Sequence, residues 1–214
     1  MWRRVELLDR RLMRRSFRAR SSALDRTLVA ITRAANYSRL WLLLAGALVL
    51  FGGRAGRRAA GRGLIAIAIA AAVANGPAKL LVRRRRPFSP SHPTLIRTPR
   101  STSFPSGHSA AAFAFTTAVC AELPVLVPAL VPLAGTVAYS RVHTGVHYPS
   151  DVAAGVGIGI GSGLLAAHWP WLVRALQGAA VELDLELRTW RALPPSVASE
   201  RLTTAATDAR IGLP

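Results

Sequence analysis

The chain has 214 residues, of which 51% are apolar and 18% are charged, and its 28 basic against 10 acidic side chains give a formal net charge of +18. A soluble globular domain usually carries about 25% charged residues, and between Thr27 and Val181 the acids are Glu122 and Asp151 alone. The composition therefore argues against an ordinary soluble domain. The hydrophobicity of this stretch excludes disorder, and a single cysteine, Cys120, excludes an internal disulfide framework.

The first predicted element is a basic amphipathic helix over residues 2–20. At about 100° per residue, its apolar side chains fall on one arc and its arginines on the other. The apolar arc holds Trp2, Val5, Leu8, Leu12, Met13 and Phe17, and the basic arc holds Arg3, Arg4, Arg10, Arg11, Arg14, Arg15 and Arg18. This pattern predicts a helix that lies in the membrane interface or, equally well, one that packs on the protein's own surface. A mixed helix over residues 24–36 completes a predicted N-terminal region of residues 1–38.

Five apolar segments follow, at residues 40–51, 64–82, 107–123, 125–142 and 152–173. The first is shorter than the roughly 20 residues that cross a bilayer, so we expect it to borrow from the preceding helix. The last ends in His168, Trp169, Pro170 and Trp171, which is typical of an aromatic belt at a membrane surface. The pattern predicts an all-α integral membrane protein with about five transmembrane helices in a domain of residues 39–174.

The C-terminal segment, residues 175–214, is ambiguous. Over residues 181–188 aliphatic and charged side chains alternate, which favours a strand, whereas the Leu and Glu content favours a helix. Both interpretations stay open. Residues 194–214 are expected to be disordered.

A strongly basic chain could instead bind nucleic acid. That function favours aromatic residues among the basic ones or a recognisable binding module, and the sequence has neither. Of the 28 basic residues 27 are arginines, and they cluster at the ends of apolar runs, where they would meet lipid head groups. We expect a bilayer with anionic lipids as a partner and no nucleic acid.

Polar side chains concentrate at one end of the predicted spans. Lys79 and Arg86 close the second span, Ser106, Gly107 and His108 open the third, Arg141 closes the fourth, and His147 and Asp151 open the fifth. Because consecutive spans alternate in direction, these ends meet at the same membrane face. Ionisable residues in such a place are functional candidates.

The spacing of the basic residues suggests an anion site. Lys79, the one lysine of the chain, lies two helical turns before Arg86, so the two share a face if the helix continues to Arg86. Pro87 then stops the helix. For the intervening residues 83–85 we expect three arginines that anchor to head groups.

The two histidine motifs add catalytic potential. Ser106 can cap a helix whose free N–H groups, beside Gly107, bind phosphate oxygens, and His108 follows directly. Asp151 lies four residues after His147, where a carboxylate can fix one ring nitrogen and make the other a better nucleophile. Asp151 can also stabilise the helix N-terminus through the dipole, and both roles can hold at once.

Taken together, Lys79-x6-Arg86-Pro87, Pro105-Ser106-Gly107-His108 and Ser140-Arg141-x5-His147-x3-Asp151 resemble the three signature motifs of the type 2 phosphatidic acid phosphatase (PAP2) superfamily. The resemblance implies a bundle of transmembrane helices and a phosphatase that uses neither metal nor cofactor. It implies that His147 attacks phosphorus, oriented by Asp151, while His108 protonates the leaving oxygen. It also implies a set of phosphate-binding residues, namely Lys79, Arg86, Ser106, Gly107 and Arg141.

The superfamily also includes vanadium haloperoxidases, which are soluble, so a haloperoxidase-like enzyme is a minor alternative. A non-catalytic basic scaffold or transporter is another, and it predicts charges scattered through the spans. For a phosphatase, the expected substrate is a lipid phosphate: a polyprenyl phosphate or diphosphate, a polyprenyl-phosphoryl-pentose phosphate, phosphatidic acid or phosphatidylglycerophosphate.

The expected location is a bacterial plasma membrane, since the heavy use of Arg and Ala is typical of a GC-rich bacterial genome. Taken literally, the positive-inside rule places the arginine-rich site end in the cytoplasm. Several of those arginines serve phosphate binding, however, and the short basic connector on the opposite face is the kind of loop on which the rule works best. We therefore expect an active site on the outer face.

Overall fold

The computed structural model describes residues 2–99 and 101–192, and this part of the chain contains helices and no strand. Two short 3₁₀ turns, Asn36–Ser38 and Pro124–Leu126, connect longer helices. The helices are α1 (Trp2–Arg18), α2 (Ser22–Ala34), α3 (Arg39–Phe51), α4 (Gly53–Asn75), α5 (Pro77–Leu81), α6 (Gly107–Glu122), α7 (Val127–His143) and α8 (Pro149–Ala192). The predicted all-α fold is confirmed.

Helices lie over each of the five predicted apolar segments. Within the described residues, three stretches are long and apolar enough to cross a membrane: Gly53–Leu81, Pro124–His143 and Pro149–Trp169. The pair Ser22–Ala34 and Asn36–Phe51, bent by 61°, supplies a fourth if it forms one broken span, which agrees with the expectation that residues 40–51 borrow from the preceding helix. The remaining helix, α6, has 16 residues and is largely buried by its neighbours.

Small residues let the central helices approach closely. Buried alanines from α4, α6 and α8 form one apolar cluster that comprises Ala66, Ala70, Ala74, Ala110, Ala114, Ala118 and Ala166. Three glycines of α8 at four-residue spacing face α6 with no room for a side chain. A Cβ on Gly155 would collide with the Ser106 carbonyl oxygen, and one on Gly159 would lie 2.5 Å from that of Ala110. The third, Gly163, would meet Thr117 at 2.5 Å. Such contacts are typical of membrane helix pairs.

The second cluster is larger and contains aromatic residues. Trp41 of α3 packs against Phe115 of α6, with ring centroids 5.5 Å apart, and buried residues of α4 and α7 surround them. Gly63 of α4 allows this approach, because a Cβ there would lie 2.7 Å from the Phe115 ring. These contacts join α3, α4, α6 and α7 around one core.

Helix α1 packs on the protein with only part of its apolar arc, so both interpretations of the amphipathic pattern hold in part. Met13 and Phe17 are buried against Val142 of α7. The two leucines of the predicted apolar arc, Leu8 and Leu12, remain exposed at 56% and 37%. Part of the arc therefore docks on the chain, and part remains on the surface.

The chain divides into two compact units, Met1–His168 and Trp169–Pro214. In the second unit, the described part is the continuation of α8 to Ala192. Residues 181–188 lie within that helix, so the strand interpretation of their alternating pattern is wrong: helix propensity prevailed over a short period-two run. The predicted disorder of residues 194–214 lies outside the described residues.

Candidate active site

The ends of α5, α6, α7 and α8 converge, as the alternating directions of the spans predict. The backbone N–H of Ser106, before α6, donates to the Asp151 carbonyl oxygen in α8 over 3.0 Å. The Ser106 hydroxyl caps α6 by accepting from the Ser109 N–H, as expected. At the end of α7, the Arg141 carbonyl oxygen accepts from the His147 N–H at 3.2 Å. Backbone bonds thus hold three of the four motif segments directly to one another.

His147 lies in the turn between α7 and α8 and is 3% exposed. An Nη1 atom of Arg86 lies 3.1 Å from its Nε2. A guanidinium only donates hydrogen bonds, so Nε2 accepts and carries a lone pair. The proton is then on Nδ1, which lies 3.8 Å from Oδ2 of Asp151. This is the tautomer that a nucleophilic Nε2 requires.

The surroundings of His147 keep its ring neutral. Burial lowers its pKa to about 4, and the charges of Arg141 and Arg86 act in the same direction, while Asp151 opposes them. Removal of a group from water disfavours its charged form. At neutral pH the imidazole is therefore unprotonated at Nε2, and its lone pair can attack phosphorus once Arg86 donates to a phosphoryl oxygen instead.

Asp151 is fully buried in the first turn of α8 and accepts several hydrogen bonds. Its Oδ2 accepts from the Ser103 hydroxyl and from the Tyr148 backbone N–H at 2.9 Å. Its Oδ1 accepts from Arg84 Nη1 at 2.8 Å. The expectation that Arg84 anchors to lipid head groups is therefore wrong, because a buried carboxylate competes for its guanidinium.

The basic residues of the first motif do not share a helix face. Helix α5 ends at Leu81, and the extended segment after it carries Arg86. A shared face required the helix to continue to Arg86, and this condition is not met, because the chain leaves the helix before the arginine run. Lys79 donates to Asn75 Oδ1 over 2.8 Å, and Arg86 donates to the Ser101 carbonyl oxygen at 2.9 Å as well as contacting His147.

Arg141 is the most deeply buried cation of the site, with 1% exposure. Its Nη1 donates to the hydroxyl of Thr32 in α2. Its Nε is buried and has no acceptor among the described residues. A buried guanidinium N–H without an acceptor is costly, and a phosphate oxygen is the kind of group that would satisfy it.

His108, in the first turn of α6, completes the polar group. Its Nε2 lies 2.9 Å from Asn36 Oδ1, and an amide oxygen accepts only, so Nε2 carries a proton. Lys79, Arg86, Arg141 and His147 all lie near enough to act on its charge. The predicted acid, nucleophile and cations thus share one polar environment.

Several residues that contact the predicted ones were not predicted as site residues: Thr32, Asn36, Asn75, Arg84, Ser101, Ser103 and also Asp9, which accepts from Arg84. Two of them carried a signal. Asn75 is a polar residue at the end of the apolar α4, and Asp9 is an acid within a run of arginines. The other histidines near this end have their own partners. His143 contacts Asp25 over 2.7 Å, and His92 stacks on Phe17.

A groove of about 940 Å³ adjoins Arg86. Apolar side chains line it together with basic ones, among them Met13, Phe17 and Phe88 with Arg10 and Arg14. In residues 2–99 and 101–192, no three His, Cys, Asp or Glu side chains come together as metal ligands would.

The family model "PAP2 superfamily" matches residues 59–175 of the chain. Among solved structures, LpxE of Aquifex aeolicus matches with a TM-score of 0.63 and 26% identity, over 74% of this chain and 94% of that one. A transmembrane PAP2 type phosphatidylglycerolphosphate phosphatase from Bacillus subtilis matches with a TM-score of 0.63 and 22% identity, over 79% of this chain and 87% of that one. No curated protein sequence matches.

Proposed function

The chain belongs to the PAP2 superfamily and is a membrane phosphatase, and from this premise we propose that it hydrolyses a lipid phosphate through a phosphohistidine at His147. The observation that carries the proposal is the state of His147: Arg86 donates to Nε2, and Asp151 lies beside Nδ1. This arrangement supports a neutral nucleophile with its lone pair directed at the basic cluster.

In the first step, His147 Nε2 attacks phosphorus, a P–N bond forms and the bond to the ester oxygen breaks. His108 enters this step as an imidazolium, which the bound phosphate anion favours, and passes one of its two ring protons to the departing oxygen. Lys79, Arg86 and Arg141, with Ser106 and the free Gly107 amide at the start of α6, hold the phosphoryl oxygens. Asp151 stabilises the proton on His147 Nδ1 as positive charge develops on the ring.

In the second step, His108 takes a proton from a water molecule, which attacks phosphorus as the P–N bond breaks. Inorganic phosphate leaves, and both histidines return to their starting states. Phosphoryl transfer needs positioning and charge neutralisation above all. Three cations and a helix N-terminus supply both, so the proposed mechanism uses no metal and no cofactor.

The groove supports a lipid as substrate. Its mixed basic and apolar lining suits a phosphate whose tail remains in the bilayer, and the exposed arginines of α1 suit a membrane with anionic lipids. A polyprenyl phosphate or diphosphate, a polyprenyl-phosphoryl-pentose phosphate, phosphatidic acid and phosphatidylglycerophosphate all meet this description. We place the protein in a bacterial plasma membrane with its site on the outer face.

A panel of these lipids in detergent, set against a water-soluble phosphate ester, tests the proposal. We expect kcat/KM for at least one lipid to exceed that for the soluble ester by about 100-fold or more, because the tail orients the phosphate. Vanadate should inhibit and EDTA should not. Equal turnover of the soluble ester would argue against a lipid substrate, and loss of activity in EDTA that Mg²⁺ restores would contradict the metal-free mechanism.

A further inference from the structure

Helix α1 carries a buried acid that its basic pattern does not explain. Of its two acids, Glu6 is exposed, whereas Asp9 is 2% exposed. Burial of a carboxylate is costly unless charged and hydrogen-bonded partners compensate it. Asp9 therefore needs partners inside the fold, and those partners lie beside the active site.

The contacts of Asp9 form a closed network with the start of α8. Its Oδ1 accepts from the Ser150 backbone N–H at 2.9 Å, and its Oδ2 accepts from the Ser150 hydroxyl at 2.7 Å. The same Oδ2 accepts from Arg84 Nη2 at 2.7 Å. Asp9 thereby holds both the arginine and the residue that precedes Asp151.

Arg84 connects this network to the site. Its Nη2 donates to Asp9, while its Nη1 donates to Oδ1 of Asp151 at 2.8 Å and to the Ser150 hydroxyl at 2.7 Å. Its guanidinium lies over the Tyr148 ring at 3.9 Å. Although burial acts against it, the two acids raise the pKa of Arg84, so it remains charged. A planar guanidinium whose two Nη atoms both donate hydrogen bonds has little freedom to rotate.

Both oxygens of Asp151 are held, and the network supplies the hold on one of them. Arg84 donates to Oδ1, while the Ser103 hydroxyl and the Tyr148 N–H donate to Oδ2, the atom that lies 3.8 Å from His147 Nδ1. Without Arg84 the carboxylate would keep its hydrogen bonds at Oδ2 alone and could tilt about them. Asp9, which holds Arg84, lies outside residues 59–175, the part matched by the family model.

We propose that Asp9 and Arg84 are positioning residues of the phosphatase site, through which helix α1 fixes the carboxylate of Asp151 against His147. The proposal rests on the proposed function, in which Asp151 supports His147 as the nucleophile. Neither residue touches the phosphate, so each acts on the rate of phosphoenzyme formation and not on substrate affinity.

The test uses the full-length protein with Asp9→Asn, Arg84→Gln and the double variant. We expect kcat to fall by about tenfold or more in each single variant, which corresponds to about 1.4 kcal/mol of activation free energy, with KM within about twofold of the wild type. The double variant should be no slower than the slower single variant, because both changes break one connection.

Matched controls come from neighbours on the same segments. Glu6→Gln removes an exposed acid from α1, and Arg85→Gln removes an exposed arginine beside Arg84. Both should keep the wild-type kcat. In an Asp151→Asn background, Asp9→Asn should cause no further loss, since the group that it positions is already impaired.

Thermal melting separates positioning from anchoring. A lower Tm of Asp9→Asn with an unchanged kcat of the folded protein would show that Asp9 merely anchors α1, and would overturn the proposal. If Asp9→Asn does not fold, Ser150→Ala decides, because it removes one hydroxyl from the network: a lower kcat at constant KM supports positioning, and an unchanged kcat overturns it. His147→Ala in parallel tests the proposed function separately, since turnover by that variant contradicts the nucleophile whatever Asp9 does.

Discussion

Two parts of the helical unit differ in how they are held together. Where α6 meets α8, alanines and glycines bring backbones into contact, and the fit depends on the absence of side chains. At the adjacent end of the same helices, arginines, carboxylates and histidines are held by directional hydrogen bonds. Close packing therefore sets the distance between α6 and α8, and the hydrogen bonds at their ends orient the reactive groups. We call the contact of Gly155, Gly159 and Gly163 with α6 the seam. We expect changes at the polar end to lower the rate with the fold intact, and changes in the seam to lower stability.

The largest effect at the polar end short of removing the nucleophile should follow Asp151→Asn. An amide cannot supply the charge that stabilises the developing imidazolium, so we expect kcat to fall by about 10³-fold or more. The measurement is the steady-state rate on a lipid phosphate, with Tm and expression as controls. A rate within tenfold of the wild type in a folded protein would place the charge of Asp151 outside the chemistry.

His108→Ala should have the next largest effect, and its size should depend on the leaving group. On an alkyl phosphate we expect a loss of about 10²-fold, at the lower end of the range for general acids. The loss should be markedly smaller on an aryl phosphate or a diphosphate, whose leaving groups need less protonation. Equal losses on both substrates would argue that His108 does not protonate the leaving oxygen.

A substitution in the seam tests the other half of the comparison. Gly159→Ala puts a Cβ 2.5 Å from the Ala110 carbonyl oxygen, whereas the neighbouring Gly157→Ala meets nothing within 4 Å. We expect overpacking to cost Gly159→Ala about 1–3 kcal/mol, measured as a lower Tm in detergent, while Gly157→Ala keeps or raises the Tm. Equal Tm values for the two variants would show that α6 and α8 can move apart to admit the methyl group without loss of stability.

The smallest expected effect is in the pH profile. Because the pKa of His147 is lowered to about 4, its ring should remain neutral as the pH falls from 7 to 5. After correction for the ionisation of the substrate, kcat/KM should decline only as the pH approaches 4. In the unfolded chain His147 titrates near 6.5, so its burial makes the folded state less stable as the pH falls from about 6.5 to 4. An acid limb centred on 6.5 would contradict a desolvated nucleophile.

The sequence was informative where chemistry requires particular residue types at fixed spacing. The helical fold and the meeting of His108, Arg141, His147 and Asp151 at one end followed from hydropathy and alternating span directions. The roles of these residues remain predictions. Local periodicity failed for residues 181–188, where a short alternation lies inside a helix, and at Arg86, where the helix ends earlier than the spacing suggested.

The role of Arg84 could not be read from its neighbours, because each residue of an arginine run looks alike in sequence. What distinguishes Arg84 from the neighbouring arginines is its contact with Asp9, which is 75 residues away along the chain. Asp9 lies on a helix whose docking the amphipathic pattern left undecided. Long-range pairing of this kind has no local signal. The same applies to Asn36, which contacts His108 from 72 residues away.

The most direct test of the account is to trap the covalent intermediate. The protein is mixed with a lipid substrate that carries a labelled terminal phosphate, quenched in alkali, which preserves phosphohistidine, and mapped by peptide. We expect label on the peptide that contains His147, more of it in His108→Ala, where release by water is slowed, and none in His147→Ala. Label on a different residue, or turnover by a correctly folded His147→Ala protein, would contradict the central claim that His147 is the nucleophile.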